Sequence, residues 1–303
     1  MPIYKVDALK NRFKSFIKSK FENELVNISK FGIVLVGDDF ASQKYIEMKL
    51  KMAHELGIET EFHHFSEIVE KNEIEKVLTN YKQIQGGLIF QLPIRADLNY
   101  FIDQIPFKSD VDLLGLDRYR LIQKQILAPT IGAIDLILKD ILGKTKLGDT
   151  DFDEFIKQKI DLKGLNIAII GQGSLVGLPL LEYLSKSGAS LISLNQNTQN
   201  IKTLTQTADI LISATGVGGL IDETWLKPAS VKNGIQFPIV IDAGTSEGKI
   251  VNNASNNEFS KVLAGDVISL KVQDKCTLVA VPGGVGPITV RYIFWNLYQL
   301  NQL

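Results

Sequence analysis

The sequence predicts an α/β protein of two domains, each built on a parallel sheet covered by helices. Short apolar runs alternate with segments of helical periodicity along most of the 303 residues. Such alternation is typical of parallel strands joined by helical crossovers. A chain of this length can also bury two ordinary domain cores. We place the domain boundary near residue 122, before a segment of helical periodicity.

The elements follow one another in a regular order. Predicted strands cover residues 33–36, 88–90, 166–170, 191–194, 210–214, 239–243 and 279–281. Predicted helices cover residues 41–56, 128–142, 175–187 and 290–300. Gly57 and Gly188 stand where helix C-caps are expected. The polar stretch 144–163 predicts a loop with a short helical piece.

Composition excludes several classes of protein. The net charge is −1, with 45% hydrophobic and 22% charged residues, so no basic surface for nucleic acid or an anionic membrane is expected. The one cysteine, Cys276, allows no disulfide within the chain. His54, His63 and His64 lack a metal-ligand spacing, so no metal is expected. Neither a signal peptide nor a membrane-spanning segment is predicted, and the cytoplasm is the expected compartment.

A glycine-rich turn is the first chemical signal. The strand at 166–170 runs into Gly171-Gln172-Gly173, and we expect a helix to leave from residue 174 or 175. Glycines permit close backbone approach to a pyrophosphate, and the N–H groups of the helix start favour an anion. The spacing through Gly177 is looser than the usual fingerprint. A turn without a ligand therefore remains the alternative.

The end of the next predicted strand bears on the choice of dinucleotide. An acid there favours NAD, whereas an arginine accepts the 2′-phosphate of NADP. This chain has Asn195 and Gln196 there, and Lys202 is the nearest cation. The local chemistry favours neither nucleotide.

A polar face on the helix at 41–56 is the second signal. Ser42, Tyr45 and Lys49 have the spacing i, i+3 and i+7, which places them on one face. A buried lysine beside a phenol can carry protons, because burial lowers its pKa. Taken alone, a solvated lysine is the more common alternative.

Three further segments carry polar or glycine-rich chemistry. Gln91 and Pro93 directly follow the strand at 88–90, where ligands bind in open α/β sheets. Asp110 or Asp112 is a candidate partner for a ring nitrogen, with a turn cap as the alternative. The turn VPGGVGPIT at 281–289 allows a ligand to approach the backbone closely.

Together these segments resemble the bifunctional methylenetetrahydrofolate dehydrogenase/methenyltetrahydrofolate cyclohydrolase family. The matching segments, in the family's order, are LVGDDFASQKYIEMKLKMAHELGI, GGLIFQLPI, DVD, IIGQGSLVGLP, ADILISATG and VPGGVGPIT. The resemblance implies oxidation of 5,10-methylenetetrahydrofolate with NADP, followed by hydrolysis to 10-formyltetrahydrofolate, without a metal. NAD is the possible second cofactor.

The resemblance also implies an organisation. Residues 1–122 and 283–303 would form the folate and catalytic domain, and residues 123–282 a Rossmann-type NAD(P)-binding domain. The C-terminal helix would return to the first domain. Tetrahydrofolate derivatives would be the partners, and the chain would form a homodimer through its nucleotide domain.

The resemblance assigns site residues as follows. The implied catalytic residues are Lys49, Tyr45, Gln91 and Asp112. The implied substrate-binding residues are Ser42, Tyr45, Gln91, Leu92, Asp112, Pro282, Gly283 and Gly284. The implied cofactor-binding residues are Gly171, Gln172, Gly173, Ser174, Leu175, Val176, Gln196, Thr215, Gly216 and Thr245.

The chain departs from the family pattern at several positions. Leu113 replaces a glycine after DVD, and Ala128 and Ala280 replace other residues of the pattern. Gln172 and Gln196 stand where basic groups often hold the 2′-phosphate. We therefore expect NADP binding with reduced discrimination against NAD.

Two other functions remain open from the sequence. A shikimate-dehydrogenase-like oxidoreductase would share the two-domain plan, but would not need Tyr45, Lys49 and Gln91 together. A non-catalytic folate- or nucleotide-binding protein is suggested by Leu113 and the missing basic residues. Turnover of methylenetetrahydrofolate separates the three.

Overall fold

A computed structural model describes residues 3–24, 28–143, 151–253 and 258–303. The chain forms two compact units. The larger unit comprises Met1–Arg12 and Ala133–Ile288, and the smaller unit comprises Phe13–Gly132 and Thr289–Leu303. These bounds differ from the sequence-based domain division at residues 122 and 283, which concerns function and stays a prediction.

The helices and strands up to residue 141 include the predicted strands at 33–36 and 88–90 and the predicted helices at 41–56 and 128–142. In chain order they are α1 (Asp7–Asn23), β1 (Lys30–Val36), α2 (Phe40–Glu55), β2 (Thr60–Phe65), α3 (Lys71–Tyr81), β3 (Gly86–Phe90), α4 (Asn99–Ile102), α5 (Arg118–Gln123) and α6 (Pro129–Ile141). Of these, α1, β2, α3, α4 and α5 were not predicted.

The later elements continue the alternation and add two hairpins. They are α7 (Phe152–Lys157), β4 (Asn166–Ile170), α8 (Gly177–Leu184), β5 (Ser190–Leu194), α9 (Ile201–Thr205), β6 (Ile210–Ser213), β7 (Ser230–Lys232), β8 (Ile235–Phe237), β9 (Ile239–Asp242), β10 (Ser246–Asn253), β11 (Glu258–Ala264), α10 (Ser269–Val272), β12 (Thr277–Val279) and α11 (Val285–Asn301).

The smaller unit is built on a parallel sheet of order β2-β1-β3. Every residue of β3 is buried, as expected for a strand covered on both faces. Helix α11 brings aromatic side chains back to this unit. The ring centroids of Phe31 and Phe294 are 5.0 Å apart, and those of Phe16 and Trp295 are 5.2 Å apart. The predicted return of the C-terminal helix to the first domain is confirmed.

The larger unit contains a five-stranded parallel sheet of order β12-β9-β6-β4-β5. Two antiparallel hairpins, β7–β8 and β10–β11, lie outside this sheet and were not predicted. The α/β fold class with a Rossmann-type domain is confirmed. The predicted loop at 144–163 contains α7, the expected short helical piece, and its residues 144–150 lie outside the described residues.

Three of the predicted boundaries that are wrong lie near a proline. Helix α8 begins at Gly177, not at residue 174 or 175, because an earlier start would set Pro179 in the second turn, where its ring clashes with a carbonyl. Strand β12 ends at Val279, the last residue that pairs with β9, and the apolar residues at 280–281, before Pro282, are not part of it. Helix α11 begins at Val285, since Pro287 is tolerated in a first turn.

None of the helices within the described residues is both long enough and apolar enough to span a membrane.

Candidate functional site

Helix α2 positions the polar face predicted from the sequence. Its N-cap is Asp39, whose carboxylate accepts a hydrogen bond from the Ser42 backbone N–H over 2.7 Å. This cap satisfies one of the free amides at the helix start. Ser42 and Lys49 are buried, and Tyr45 is half-buried between them along the helix. The predicted spacing therefore does place all three side chains on the inner side of the helix.

Lys49 is joined to the end of strand β3 through Gln91. The Lys49 side chain is 5% exposed, and its Nζ donates to Gln91 Oε1 over 2.8 Å. Gln91 Nε2 in turn donates to the Leu92 carbonyl over 3.0 Å, and Ser42 Oγ donates to the same carbonyl over 3.0 Å. Four of the predicted residues thus form one hydrogen-bonded cluster.

The charges of Lys49 and Asp112 influence each other. Burial lowers the pKa of the Lys49 ammonium, and the negative charge of Asp112 opposes that decrease. Loss of water around the half-buried Asp112 carboxyl raises its pKa, and Lys49 opposes that increase. Both shifts favour the neutral forms, so a lysine in this setting exchanges its proton more readily than an exposed one.

Asp110 has a structural part in the loop that carries Asp112. It is 1% exposed, and its carboxylate accepts backbone hydrogen bonds from Leu114 over 3.0 Å and from Gly115 over 2.9 Å. Burial raises the pKa of Asp110 to about 6. The residues alone left the choice between the two acids open, and the resemblance assigned the role to Asp112. The contacts of Asp110 with its own loop leave Asp112 as the acid beside Lys49. Leu113, directly after Asp112, adopts a left-handed backbone with φ of 55°.

Sequence reasoning missed Asn296, which also holds this loop. Asn296 is fully buried on α11, and its Nδ2 donates to the Val111 carbonyl over 3.0 Å and to the Leu127 carbonyl over 2.9 Å. The available signal was a carboxamide on an otherwise apolar helix face. A buried amide is costly unless it makes such bonds.

The glycine-rich turn of the larger unit has little room for side chains at two positions. Gly171 has φ of +101°, and a Cβ there would lie 2.3 Å from the Ala214 carbonyl oxygen. A Cβ at Gly177 would lie 1.9 Å from the Gly171 carbonyl oxygen. At Gly173, by contrast, no atom of the described residues beyond its two chain neighbours lies within 4 Å of the Cβ position, so the turn is open there. Residues 172–175 are exposed, and Val176 is half-buried.

Uncharged side chains connect the ends of β4 and β5. Gln172 Nε2 donates to Ser193 Oγ over 3.0 Å, and Asn195 Nδ2 donates to Gln172 Oε1 over 2.7 Å. Gln196 is exposed beside them in the chain. Lys202, the nearest cation in sequence, donates to Thr224 Oγ1 over 2.6 Å instead.

The remaining predicted cofactor residues follow β6 and β9. Thr215 and Thr245 are half-buried, and Gly216 is exposed with φ of +69°. A Cβ at Gly216 would lie 3.9 Å from the Thr245 carbonyl oxygen, so the two loops are neighbours. The carboxyl ends of parallel strands are where open α/β sheets bind ligands.

Pro282, Gly283 and Gly284 lie in the larger unit, between β12 and α11, whereas Lys49 and Asp112 lie in the smaller one. Pro282 and Gly283 are exposed, and Gly284 is buried. In the part of the chain that the structure describes, no group of three or more His, Cys, Asp or Glu side chains could hold a metal ion.

Two sequence models of one family match the chain. The tetrahydrofolate dehydrogenase/cyclohydrolase NAD(P)-binding domain matches residues 153–303, and the catalytic domain of the same family matches residues 5–112. The chain is 31% identical to the "Bifunctional protein FolD" of Chlamydia caviae over 296 residues, which cover 93% of this chain and 94% of the relative. The protein of the same name in Mycoplasma mobile is 32% identical over 292 residues, with coverages of 94% and 91%.

Solved structures show the same fold. The bifunctional FolD methylenetetrahydrofolate dehydrogenase/cyclohydrolase of Campylobacter jejuni has a TM-score of 0.74 at 24% identity, covering 98% of this chain and 97% of that one. The FolD of Trypanosoma brucei, solved with NADP and an inhibitor, has a TM-score of 0.80 at 20% identity, covering 100% and 98%.

Proposed function

The chain belongs to the tetrahydrofolate dehydrogenase/cyclohydrolase family, and on this premise we propose that it carries out both reactions. It oxidises 5,10-methylenetetrahydrofolate to 5,10-methenyltetrahydrofolate and hydrolyses that product to 10-formyltetrahydrofolate, as an enzyme of one-carbon metabolism. The observation that carries the proposal is the hydrogen bond from the buried Lys49 to Gln91, beside Asp112. A solvated lysine, the alternative reading, would lie exposed.

The residues of the smaller unit have separate roles in this proposal. Asp112 binds the pterin ring, because a half-buried carboxylate accepts hydrogen bonds from ring N–H groups. Tyr45 stacks on or hydrogen-bonds the folate, and Ser42 and Leu92 border it. Gln91 orients the Lys49 ammonium and contacts the substrate. Pro282, Gly283 and Gly284 complete the proposed substrate-binding set.

The residues of the larger unit fit a nicotinamide dinucleotide. The glycine turn is open at Gly173, and a side chain at Gly171 would collide with the Ala214 carbonyl, as expected for a pyrophosphate cradle. The exposed backbone at 172–175 and Val176 would hold the pyrophosphate. Gln196 would contact the adenosine ribose, while Thr215, Gly216 and Thr245 would lie along the rest of the nucleotide.

NADP is the proposed cofactor, with NAD as a second possibility. Gln172, Asn195 and Gln196 are neutral hydrogen-bonding groups, so they can donate to a 2′-phosphate. They include no carboxylate that would repel it. The bound nucleotide supplies the hydride acceptor for the oxidation.

Lys49 has its main role in the hydrolysis. The methenyl carbon is electrophilic because it lies between two nitrogens of the folate, so water can add to it without a metal. Lys49 in its neutral form takes one proton from this water and delivers it to N5 as the carbon–N5 bond breaks, while the remaining hydroxyl proton is released to solvent as the formyl C=O on N10 forms. The lowered pKa of Lys49 increases the neutral fraction that is available. General acid–base help of this kind contributes roughly 10²–10⁴-fold.

A turnover assay on the whole chain tests the proposal. Methylenetetrahydrofolate and NADP should yield NADPH, and methenyltetrahydrofolate should be hydrolysed in a separate assay without nucleotide. Binding of both ligands with no turnover in either assay would instead support a non-catalytic folate- or nucleotide-binding protein. Hydrolysis without oxidation, or the reverse, would remove one of the two activities from the proposal.

We propose further that the enzyme works in the cytoplasm as a homodimer paired through its nucleotide domain. Strand β5 is an edge strand, which pairs with β4 alone among the described strands. Such an edge offers backbone groups for pairing with another chain. Light scattering during size-exclusion chromatography would measure the mass, and a monomer at micromolar concentration would contradict this part. We also retain 1–122 with 283–303, and 123–282, as the proposed functional domains.

A further inference from the structure

Asp266 is a fully buried carboxylate next to the proposed nucleotide site. It follows β11, and none of the roles proposed above includes it. We propose that Asp266 is a positioning residue, which holds the loops after β6 and β9 in the arrangement that binds the nicotinamide nucleotide. This inference rests on the proposed function only in that both require nucleotide binding by this unit.

The first contact of Asp266 is with the loop after β6. Its Oδ2 accepts a hydrogen bond from Ser213 Oγ over 2.6 Å and a second from the Thr215 backbone N–H over 2.7 Å. Ser213 is the last residue of β6, and Thr215 is a proposed cofactor residue. Hydrogen bonds to a carboxylate are stronger than those between neutral groups. One oxygen therefore fixes the direction in which this loop leaves the sheet.

The main chain around Asp266 holds the far end of the same loop. The Asp266 carbonyl accepts from the Ile221 N–H over 2.9 Å, and the Gly265 carbonyl accepts from the Gly219 N–H over 3.0 Å. Thr215 and Ile221 are thus both tied to one residue. The intervening residues 216–220 are exposed, so these ties are what shape the loop.

The second contact of Asp266 is with the loop after β9. A Cβ at Gly244 would lie 2.0 Å from Asp266 Oδ1, so the carboxylate lies directly against the Gly244 backbone. Gly244 immediately precedes Thr245, another proposed cofactor residue. The Asp266 side chain is therefore placed between the two loops and touches both.

A second buried acid, Asp242, holds the backbone on which Asp266 lies by accepting its hydrogen bonds. Its Oδ1 accepts from the Gly244 and Asp266 backbone N–H groups, each over 3.1 Å, and its Oδ2 accepts from the Val267 N–H over 3.0 Å. A Cβ at Gly265 would lie 2.0 Å from Asp242 Oδ2. Asp266 thus lies against Gly244, two residues after Asp242, and Asp242 lies against Gly265, directly before Asp266. Together the two acids support the loops after β6 and β9.

The burial of Asp266 lowers the stability of the fold. Asp266 Oδ1 is buried and has no hydrogen-bond partner within the described residues. A buried carboxylate oxygen that lacks a partner destabilises the fold. Costs of this kind are concentrated where a protein must hold a ligand site in one arrangement.

The experiment measures NADP binding to the whole protein by calorimetric titration. Asp266→Asn keeps the shape but weakens the bonds to Ser213 and Thr215, and we expect it to raise the NADP Kd about tenfold. Ser213→Ala removes one of the two bonds and should raise the Kd by a smaller factor. Asp222→Asn is the matched control, because Asp222 also accepts from one backbone N–H and one hydroxyl, both of Thr224, in an exposed turn. It should leave the Kd unchanged.

Steady-state kinetics separates positioning from a general loss of structure. Both site variants should raise the KM for NADP while the folate KM and the rate of methenyl hydrolysis stay at the wild-type values. An NADP Kd within twofold of wild type in Asp266→Asn would overturn the inference. If that variant does not fold, Ser213→Ala decides alone, and an unchanged Kd there has the same consequence. Failure of the wild-type chain to bind NADP would instead overturn the proposed function.

Discussion

Lys49 Nζ donates to Gln91 Oε1 across 2.8 Å, which joins helix α2 to the end of strand β3. The amide oxygen cannot take up the lysine proton, so it orients the ammonium without neutralising it. Burial lowers the pKa of Lys49 at the same time. Orientation and proton exchange are therefore set by two separate features of the fold.

Replacing Lys49 tests the proton carrier. Lys49→Met should lower the rate of methenyltetrahydrofolate hydrolysis by about 10²–10⁴-fold, because it removes the group that moves the proton. The fold should persist, since methionine fills a similar apolar volume. Lys51→Met, on an exposed position of the same helix, is the control and should hydrolyse at the parent rate. Parental hydrolysis by the Lys49 variant would show that Lys49 is misassigned.

Replacing Asp112 tests the pterin contact. Asp112→Ala should raise the folate KM by roughly 10–150-fold, since a hydrogen bond to a charged group contributes about 1.5–3 kcal/mol. The nucleotide KM should not change. An unchanged folate KM with normal turnover would move the pterin elsewhere. Asp110 would then be reconsidered, although its carboxylate already binds the Leu114 and Gly115 amides.

The left-handed backbone of Leu113 should affect the free energy of unfolding. Leu113 is 4% exposed with φ of 55°. Truncating a buried leucine costs about 2–5 kcal/mol, whereas left-handed strain costs about 1–2 kcal/mol. Leu113→Gly and Leu113→Ala should therefore both lower the free energy of unfolding. The glycine variant should be the more stable of the two, because only it relieves the strain.

Leu121 supplies the comparison for that pair. It is fully buried in helix α5, where glycine is less favourable than alanine by about 1 kcal/mol. Urea unfolding of the four variants should rank glycine above alanine at position 113 and below it at position 121. Alanine ranking above glycine at both positions would show that the backbone at Leu113 is not strained.

The enzyme should show only a weak preference between NADP and NAD. A 2′-phosphate carries up to about two negative charges, and the Gln172–Asn195 pair cannot neutralise them. Lys202 is engaged by Thr224 and lies 5.5 Å from the centre of the Trp225 ring. We expect kcat/KM for NADP and NAD to agree within about tenfold, or 1.4 kcal/mol.

A positive charge placed beside the Gln172–Asn195 pair should increase the preference for NADP over NAD. Gln196→Arg should raise the preference for NADP by about tenfold or more, because arginine binds phosphate through two hydrogen bonds. Gln199→Arg, also exposed but three residues further along, should have little effect. A thousandfold NADP preference in the parent chain would mean that a cation reaches the phosphate after all, and a comparable preference for NAD would contradict the assignment of NADP.

The buried acid Asp242 should make stability fall as pH rises. Burial is the main cause that raises its pKa from 3.8 to about 7, and the neighbouring Asp266 charge adds to it. Between these values the folded chain holds a proton that the unfolded chain has lost. The stability from this group is thus complete below about pH 4 and is lost up to about pH 7, at no more than about 1.4 kcal/mol per pH unit.

Urea midpoints across that range measure the effect. Asp242→Asn should flatten the decrease, although Asp110 and Asp140, whose pKa values burial raises to about 6, will leave part of it. Asp222→Asn should leave the decrease intact, because hydrogen bonds from Thr224 lower the pKa of Asp222. An Asp242→Asn profile identical to that of the parent would contradict the assignment.

The sequence alone was sufficient for the features that depend on local pattern. Short continuous apolar runs, alternating with segments of helical period 3.6, predicted strands β1, β3, β4, β5, β6 and β9, because the residues that one strand buries are adjacent in the sequence. The same periodicity placed Ser42, Tyr45 and Lys49 on one helix face. Boundaries next to Pro179, Pro282 and Pro287 were less predictable, since the position of a proline within a turn depends on where the helix or strand begins.

Only the tertiary structure decided which polar groups are partners. It distinguished Asp110, bound to its own loop, from Asp112, beside Lys49. It also brought Asn296 to Val111 across 185 residues of sequence, and Asp266 to Ser213 across 53. A hydrogen bond depends on distance and direction to within a fraction of an ångström. Pairs this far apart in the chain meet only after the sheets and helices have packed, so no local pattern in the sequence could have specified them.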